Sequence, residues 1–337
     1  DRGQDGGAKD RHRTHDASLG RGGAGLVTTE ATAVSPEGRS SPNCLGLWTD
    51  AQAQAFAPIV AAMHKAGTVP GIQIAHAGRK ASANIPWEGD NHIAADDPRG
   101  WQPIGPSAIA FGAHLDRVPQ AMTLEDIARV QADFVRAAER ARDLGFGWLM
   151  PHSAHGYLAQ SFWSAHSNQR TDAYGGSVAN RGRFLLETLR AVRAVWPEDR
   201  PLCARFGIIE FDGQDEETLS NSIDLMRQMK AEGLDFMEVS IGFSTPDANI
   251  PWGPAFMAPY AHRTRQETGL PVSTSWYISE GRQADALIRN DILDIATMGR
   301  PFLANPHWPN EAARILHAKN AGDVLPPSYA YWLSRYQ

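Results

Sequence analysis

The sequence contains only two cysteines, Cys44 and Cys203, among 337 residues. Two isolated cysteines form neither a disulfide framework nor a metal-binding pair of the usual spacing. No apolar run approaches the roughly 18 residues that a membrane span needs, and the charged N-terminus lacks the apolar core of a signal peptide. We therefore expect a cytoplasmic protein without a membrane partner.

An excess of positive charge is also lacking. Lys and Arg together number 32 against 38 for Asp and Glu, which gives a formal net charge of -6 at pH 7. Affinity for nucleic acid depends largely on basic patches that neutralise phosphates. The composition therefore argues against a nucleic-acid partner.

What the sequence does show is a regular alternation of short apolar runs with longer amphipathic segments. Seven runs, which start near residues 23, 69, 146, 201, 234, 270 and 292, have the composition of strands. Buried strands that alternate with helices predict an α/β protein with a parallel sheet. A single (β/α)8 TIM-barrel domain over residues 1–337 fits best, although a doubly wound sheet gives the same alternation. The barrel needs an eighth strand.

Three segments carry more specific expectations. Residues 23–34 are predicted to form one strand that leaves a glycine turn. Residues 123–145 are predicted to form a helix that opens with a Thr-Leu-Glu-Asp cap pattern. Residues 83–120, which are rich in Pro and Gly, are expected to pass over the barrel mouth as a capping loop.

Polar side chains stand where the predicted strands end, which is where barrels carry their catalytic groups. The residues at these ends are Gln73, His76, His152, His155, Tyr157, Arg205, Ser273, Ser275, Trp276, Gly299 and Arg300. An amide, an arginine, imidazoles and a phenol, without a carboxylate pair, favour binding of a planar anionic ligand and proton donation over hydrolysis. A structural role is the alternative for each: Gln73 as a satisfied loop amide, Arg300 as a surface ion pair.

The two neighbouring imidazoles could instead bind a metal. His152 and His155 are of the residue type that most often does so. A metal site would want a third protein ligand, and none follows at close spacing. We expect no metal, and a metal-dependent lyase is kept as an alternative.

Four long motifs carry a family resemblance: GIQIAHAGRKAS, HSAHGYLAQSFWSAHSNQRTDAYGGS, ARFG and MGRPFLANP. They resemble the old yellow enzyme family of FMN-dependent ene-reductases, in its bacterial, thermophilic-like branch. The likeness extends to EATAVSPEGR, IPWGPAFM and YAYWLSRY. It implies FMN at the barrel mouth and ping-pong hydride transfer, with NAD(P)H as reductant and an α,β-unsaturated carbonyl compound as substrate.

The resemblance also implies which residues bind the cofactor. Gln73 and Arg205 match residues that bond the pyrimidine edge of the flavin, with Arg205 near N1. Ala31 matches the small residue beside the ring. Gly299 and Arg300 match the phosphate site.

For the substrate, the resemblance implies three catalytic residues. His152 and His155 match the pair that bonds the carbonyl oxygen, and Tyr157 matches the proton donor to the α carbon. Trp276 matches a tryptophan of the pocket wall.

The resemblance also implies that the C-terminal segment, residues 320–337, reaches a neighbouring subunit. Within it, Trp332 matches a tryptophan that this branch of the family lends to the partner's substrate site. A homodimer is therefore implied.

The sequence departs from the family pattern in several places. The family's first strand has no match, so we expect the first barrel strand to be missing or altered. Arg11 stands where the family has an aromatic residue, Pro151 lies inside a strand, and Tyr277 replaces a glycine near the phosphate site. These departures favour the alternative of a flavin-poor or flavin-free barrel with a His/His/Tyr ligand-binding or isomerase site.

Overall fold

The structure is a computed structural model that describes residues 6–333 and 335. Its strands are β1 (Leu26–Thr28), β2 (Thr32–Ala33), β3 (Val69–Ala75), β4 (Ile104–Gly105), β5 (Gln120–Ala121), β6 (Trp148–Ser153), β7 (Cys203–Ile209), β8 (Phe236–Ile241), β9 (Val272–Thr274) and β10 (Ile295–Ala296). Its helices are α1 (Asp10–Arg21), α2 (Asp50–Lys65), α3 (Leu124–Asp143), α4 (Leu158–Trp163), α5 (Val178–Arg193), α6 (Asp215–Ala231), α7 (Ala258–Thr268), α8 (Gly281–Arg289), α9 (Arg300–Ala304), α10 (Trp308–Ile315) and α11 (Pro327–Leu333). Among the described helices, none combines the length and the apolar character of a membrane span.

The main sheet is parallel and its strand order follows the chain. The order is β1-β3-β6-β7-β8-β9-β10, and β2 pairs with β3 beside this path. A doubly wound sheet reverses its order at a switch point, whereas a barrel adds each strand next to the previous one. The α/β barrel architecture and the seven predicted strand positions are therefore confirmed.

The sheet has two free edges, which are β1 and β10. Within residues 6–333 and 335, no ladder joins these two strands. Seven strands thus curl without closing, which agrees with the expectation that an eighth strand is needed. Both edge strands line the large cavity described below.

Helix α3 shows how the sequence builds the outer layer. Its cap is the predicted one: Thr123 Oγ1 accepts from the Asp126 N–H at 3.1 Å, and Asp126 Oδ2 accepts from the Thr123 N–H at 2.9 Å. Such a reciprocal cap satisfies two backbone donors at the helix start. Side chains at helical spacing, among them Ile127, Val130 and Phe134, are buried against the sheet.

The predicted strand over residues 23–34 is split into β1 and β2. Thr28 pairs with Gly71 and Thr32 pairs with Ile74, so the chain advances four residues while its partner advances three. This single extra residue is a bulge, a device that redirects side chains next to functional sites. As a result, Ala31 leaves the sheet and lines the cavity.

Pro151 lies inside the central strand β6, as predicted. On one side it pairs with Ile74 of β3, but the ladder to β7 is interrupted there. Pairing with β7 occurs at Leu149 and resumes at His152, which faces Arg205. Because proline has no N–H, the interruption falls where the ladder loses a donor.

Candidate active site

A cavity of about 1120 Å³ lies between the two edge strands and the strand ends. This volume is slightly above the range of roughly 300–1,000 Å³ that is usual for ligand pockets. The predicted residues that line it are Ala31, Gln73, Arg205, Ser273, Ser275, Trp276, Gly299 and Arg300. The structure thus brings all the predicted cofactor-binding residues to one cavity, because the carboxyl ends of parallel barrel strands meet.

Two donors on the cavity wall have capacity for a ligand. The Gln73 Nε2 group is buried and donates to the Met150 sulfur at 3.1 Å, which is a weak acceptor. Arg205 Nη2 donates to Ser275 Oγ at 2.8 Å, while its Nε faces a carboxylate without the geometry of a hydrogen bond. Buried donors without a strong acceptor are uncommon, so the Gln73 amide indicates a missing acceptor.

A buried carboxylate stands beside the arginine. Glu238 on β8 is the register partner of Arg205 on β7, and its Oε1 lies 3.3 Å from Arg205 Nε. The Glu238 side chain is 4% exposed. Below this pair, an apolar layer that includes Trp148 and Phe236 fills the barrel interior, with ring centroids 5.1 Å apart.

The predicted catalytic residues form a cluster of three rings at the end of β6. The ring of His152 lies 4.8 Å from that of His155 and 5.0 Å from that of Tyr157, between centroids. His155 has φ of 62° and Gly156 has φ of 68°. This left-handed turn folds the chain back, so residues 152, 155 and 157 meet.

The two imidazoles are neutral, and a backbone contact selects the tautomer of His152. Burial, reinforced by the positive charge of Arg205, lowers the pKa of His152 and of His155 well below its usual value. His152 Nδ1 accepts from the Ala154 N–H at 3.2 Å, which leaves Nε2–H as a free donor.

His155 is held by a relay from the pocket wall. Trp276 Nε1 donates to Ser240 Oγ at 3.0 Å, and that oxygen lies 2.8 Å from His155 Nε2. The Ser240 hydroxyl can donate to or accept from His155 Nε2, and when it donates, Nδ1–H is the donor of that ring. The wall tryptophan therefore also positions the imidazole.

Tyr157 is an acid that keeps its proton. Burial raises the pKa of its phenol to about 12. A phenol with this pKa is fully protonated at neutral pH and gives up its proton only to a strongly basic atom.

Lys80 supports the cluster from behind. Its Nζ donates to the backbone carbonyls of His155 and Phe243, each at 2.8 Å, and lies 3.9 Å from the centre of the Phe111 ring. Burial lowers the pKa of this amine to about 7. These contacts fix the left-handed turn that carries His155.

The three rings adjoin the cavity rather than line it. Trp276, which does line it, has its ring centroid 5.9 Å from that of His155, and Arg205 faces His152 across the strands. Trp332 lies elsewhere: it is 67% exposed and borders a separate groove with Tyr329. Among the described residues, no group of three His, Cys, Asp or Glu side chains could hold a metal ion.

Sequence reasoning missed Glu238, Ser240 and Lys80. Glu238 and Ser240 are two residues apart in strand β8, so both side chains point to the barrel interior. In the sequence FMEVSI these polar residues alternate with apolar ones, and this alternation could have identified them as interior polar groups. Lys80 follows strand β3, shortly after His76. Because a lysine near a strand end is more often solvated, its buried partners become visible only in the fold.

Tyr277 adopts a conformation that favours glycine. Its φ is 53°, and it lines the cavity in the loop after Trp276. A non-glycine side chain in this region costs roughly 1–2 kcal/mol. Tyr277, which stands where the family has a glycine, therefore has a strained backbone next to the cavity.

We expect Tyr277→Gly to be more stable than Tyr277→Ala by about 1 kcal/mol. Both variants lose the contacts of the ring with Trp252 and Phe256, and only alanine keeps a Cβ at positive φ. Urea denaturation measures the difference in the free energy of unfolding. Equal midpoints would show that the loop relaxes and that no strain is stored.

Fold and cavity together define an α/β-barrel protein with a large cavity, lined by an amide and two arginines, next to a cluster of two imidazoles and a phenol. A model of the NADH:flavin oxidoreductase / NADH oxidase family matches residues 2–319. The chain therefore belongs to this family, which is that of the old yellow enzymes.

Curated relatives cover most of the chain. The NADPH dehydrogenase of Halalkalibacterium halodurans is 38% identical over 311 residues, which are 92% of this chain and 85% of the relative. The NADPH dehydrogenase of Geobacillus thermodenitrificans is 36% identical over 316 residues, with 94% and 87% covered.

Solved structures agree with the fold. Morphinone reductase superposes with a TM-score of 0.77 at 28% identity and covers 93% of this chain and 83% of its own. An old yellow enzyme homologue from Zymomonas mobilis gives a TM-score of 0.75 at 26% identity, with 96% and 92% covered. The protein is thus an NAD(P)H-dependent flavin oxidoreductase that uses FMN, which goes against the flavin-free alternative.

Proposed function

We propose that this protein is an ene-reductase, which reduces the C=C bond of α,β-unsaturated carbonyl compounds. The observation that carries the proposal is the ring cluster of two neutral imidazoles and a protonated phenol beside the cavity. Reduction of an enone needs donors for a carbonyl oxygen that becomes negative, and an acid for the α carbon. The cluster provides both the two donors and the acid, and their rings are in contact with one another.

FMN fits the residues that line the cavity. The buried Gln73 amide has a weak acceptor in the Met150 sulfur, and the pyrimidine edge of a flavin offers a stronger one, next to the Arg205 guanidinium on the same cavity wall. A Cβ added to Gly299 would meet nothing within 4 Å, so the backbone there faces open space, and the guanidinium of Arg300 follows. We assign the phosphate to Gly299 and Arg300, and the small face beside the ring to Ala31.

FMN held by these residues would supply the hydride chemistry between NAD(P)H and the β carbon of the substrate. The chain itself does the rest. His152 Nε2–H and the Nδ1–H of His155 bind the carbonyl oxygen and stabilise its growing negative charge. Tyr157 transfers its proton to the α carbon, and Trp276 forms the wall against which the planar substrate lies.

Two features of assembly belong to the same proposal. Residues 83–120 cover the substrate site, since Phe111 stacks on the Lys80 amine that holds the His155 turn. The exposed Trp332 completes the substrate site of a partner subunit in a homodimer. Sedimentation velocity distinguishes this homodimer from a monomer.

The test is a pair of anaerobic half-reactions followed by visible absorbance. NADPH should bleach the flavin band of the purified protein, and 2-cyclohexenone should restore it with cyclohexanone as the product. Cyclohexanone itself, which lacks the C=C bond, is the matched control and should leave the flavin reduced. Reoxidation by quinones or oxygen alone would contradict the ene-reductase while leaving the flavin oxidoreductase intact.

A further inference from the structure

We propose that Glu238 sets the reduction potential of the flavin through Arg205, and that it acts as a positioning residue with an electrostatic effect. The inference deepens the proposed function and rests on the assignment of the flavin pyrimidine edge to Arg205. It starts from a contrast between the two carboxylates of the cavity wall: Glu30 is half-exposed and pairs with Arg11, whereas Glu238 is buried beside Arg205.

The geometry ties the carboxylate to the arginine. The two residues are direct neighbours on parallel strands, and Glu238 Oε1 is 3.3 Å from Arg205 Nε. The other anchor of the guanidinium is Ser275, whose oxygen is 2.8 Å from Nη2. Glu238 thus fixes the plane of the guanidinium from one side and Ser275 fixes it from the other.

Burial makes this charge effective. The Glu238 side chain is 4% exposed and that of Arg205 is 19% exposed, and an apolar layer lies below them. Charges at such depth interact much more strongly than they do in water. The pair presents a net charge near zero, so the arginine offers the flavin an oriented donor with much of its charge offset.

The consequence concerns the reduced cofactor. Reduction adds negative charge at the N1 edge, which Arg205 stabilises and Glu238 opposes. Glu238 therefore keeps reduced FMN less stable, and a less stable reduced flavin is a stronger hydride donor to the enone. Arginine alone would hold the reduced flavin more tightly and favour the first half-reaction at the expense of the second.

The test compares how tightly Glu238→Gln holds reduced and oxidised FMN. Gln has the same shape without the charge, so we expect reduced FMN to gain at least tenfold in affinity relative to oxidised FMN. For a two-electron couple this corresponds to a rise of about 30 mV in the potential. Spectroelectrochemical titration of the FMN-loaded protein measures the potential without using turnover.

Two further variants separate charge from contact. Glu238→Ala removes the same charge without introducing an amide that needs hydrogen-bond partners. The reduction potential of the flavin should rise in this variant as well. Ser275→Ala removes the other anchor of Arg205 without any change in charge, so its potential measures what the loss of an anchor alone contributes.

The titrations of these variants distinguish the electrostatic role of Glu238 from its alternatives. A potential that is unchanged in both Glu238 variants, or that rises equally in Ser275→Ala, overturns the electrostatic role. A failure of the parent protein to reduce enones would count against the proposed function, whereas FMN that titrates normally in the parent and unchanged in Glu238→Gln would count against this inference only.

Discussion

Tyr157→Phe should slow the reoxidation of reduced protein by 2-cyclohexenone by about 10²–10⁴-fold, the usual contribution of a positioned general acid. Reduction of the flavin by NADPH should change little, because that step moves a hydride and needs no proton from Tyr157. The phenol is placed for this task by its 5.0 Å ring contact with His152, and its pKa of about 12 keeps it protonated. Stopped-flow absorbance separates the two half-reactions.

Tyr174→Phe is a matched control for this prediction. Burial likewise raises the pKa of Tyr174 to about 12, but its hydroxyl donates to Glu187 at 2.7 Å, away from the ring cluster. This variant should reoxidise at the parental rate. Equal slowing of both half-reactions in Tyr157→Phe would indicate a role in binding or folding instead of proton donation.

Much of the site can be predicted from the sequence because a barrel brings residues from different strands to one cavity. Gln73, Arg205 and Gly299 lie far apart in the chain, yet each lies in or shortly after a strand of the barrel, and all three line one cavity. Spacing places the rings of residues 152, 155 and 157 together once a left-handed turn is formed.

Other features depend on register and on interior contacts that a pattern does not contain. The bulge that directs Ala31 to the cavity arises from a mismatch of one residue between β1–β2 and β3, in a segment whose composition is uniformly that of a strand. Glu238 lies in the third position of its strand, as Arg205 does in β7, and no sequence motif distinguishes it from a surface carboxylate. Its meaning appears only when the register places it against Arg205.

The second large effect concerns the histidine pair. Replacing both His152 and His155 by Ala should weaken binding of a phenol such as p-hydroxybenzaldehyde by at least about 10²-fold, because each hydrogen bond to a charged oxygen contributes roughly 1.5–3 kcal/mol. The red shift that a phenol causes by charge transfer over the flavin should also disappear. Visible difference spectra measure both quantities.

The neutrality of the pair makes this prediction specific. Because burial lowers the pKa of both imidazoles, each offers one N–H and no net charge at neutral pH. The single variants His152→Asn and His155→Asn keep a neutral N–H donor and should recover part of the affinity that the alanine variants lose.

His166→Ala is the control for the loss of an imidazole from the segment between β6 and α5. His166 lies 2.6 Å from Asp212 at the rim, outside the ring cluster, and its removal should leave the phenol spectrum unaltered. An unaltered red shift in the double His152 and His155 variant would mean that other groups bind the oxygen. The nearest donors would then be Arg205 and Tyr157, and the assignment of the carbonyl site would have to move toward them.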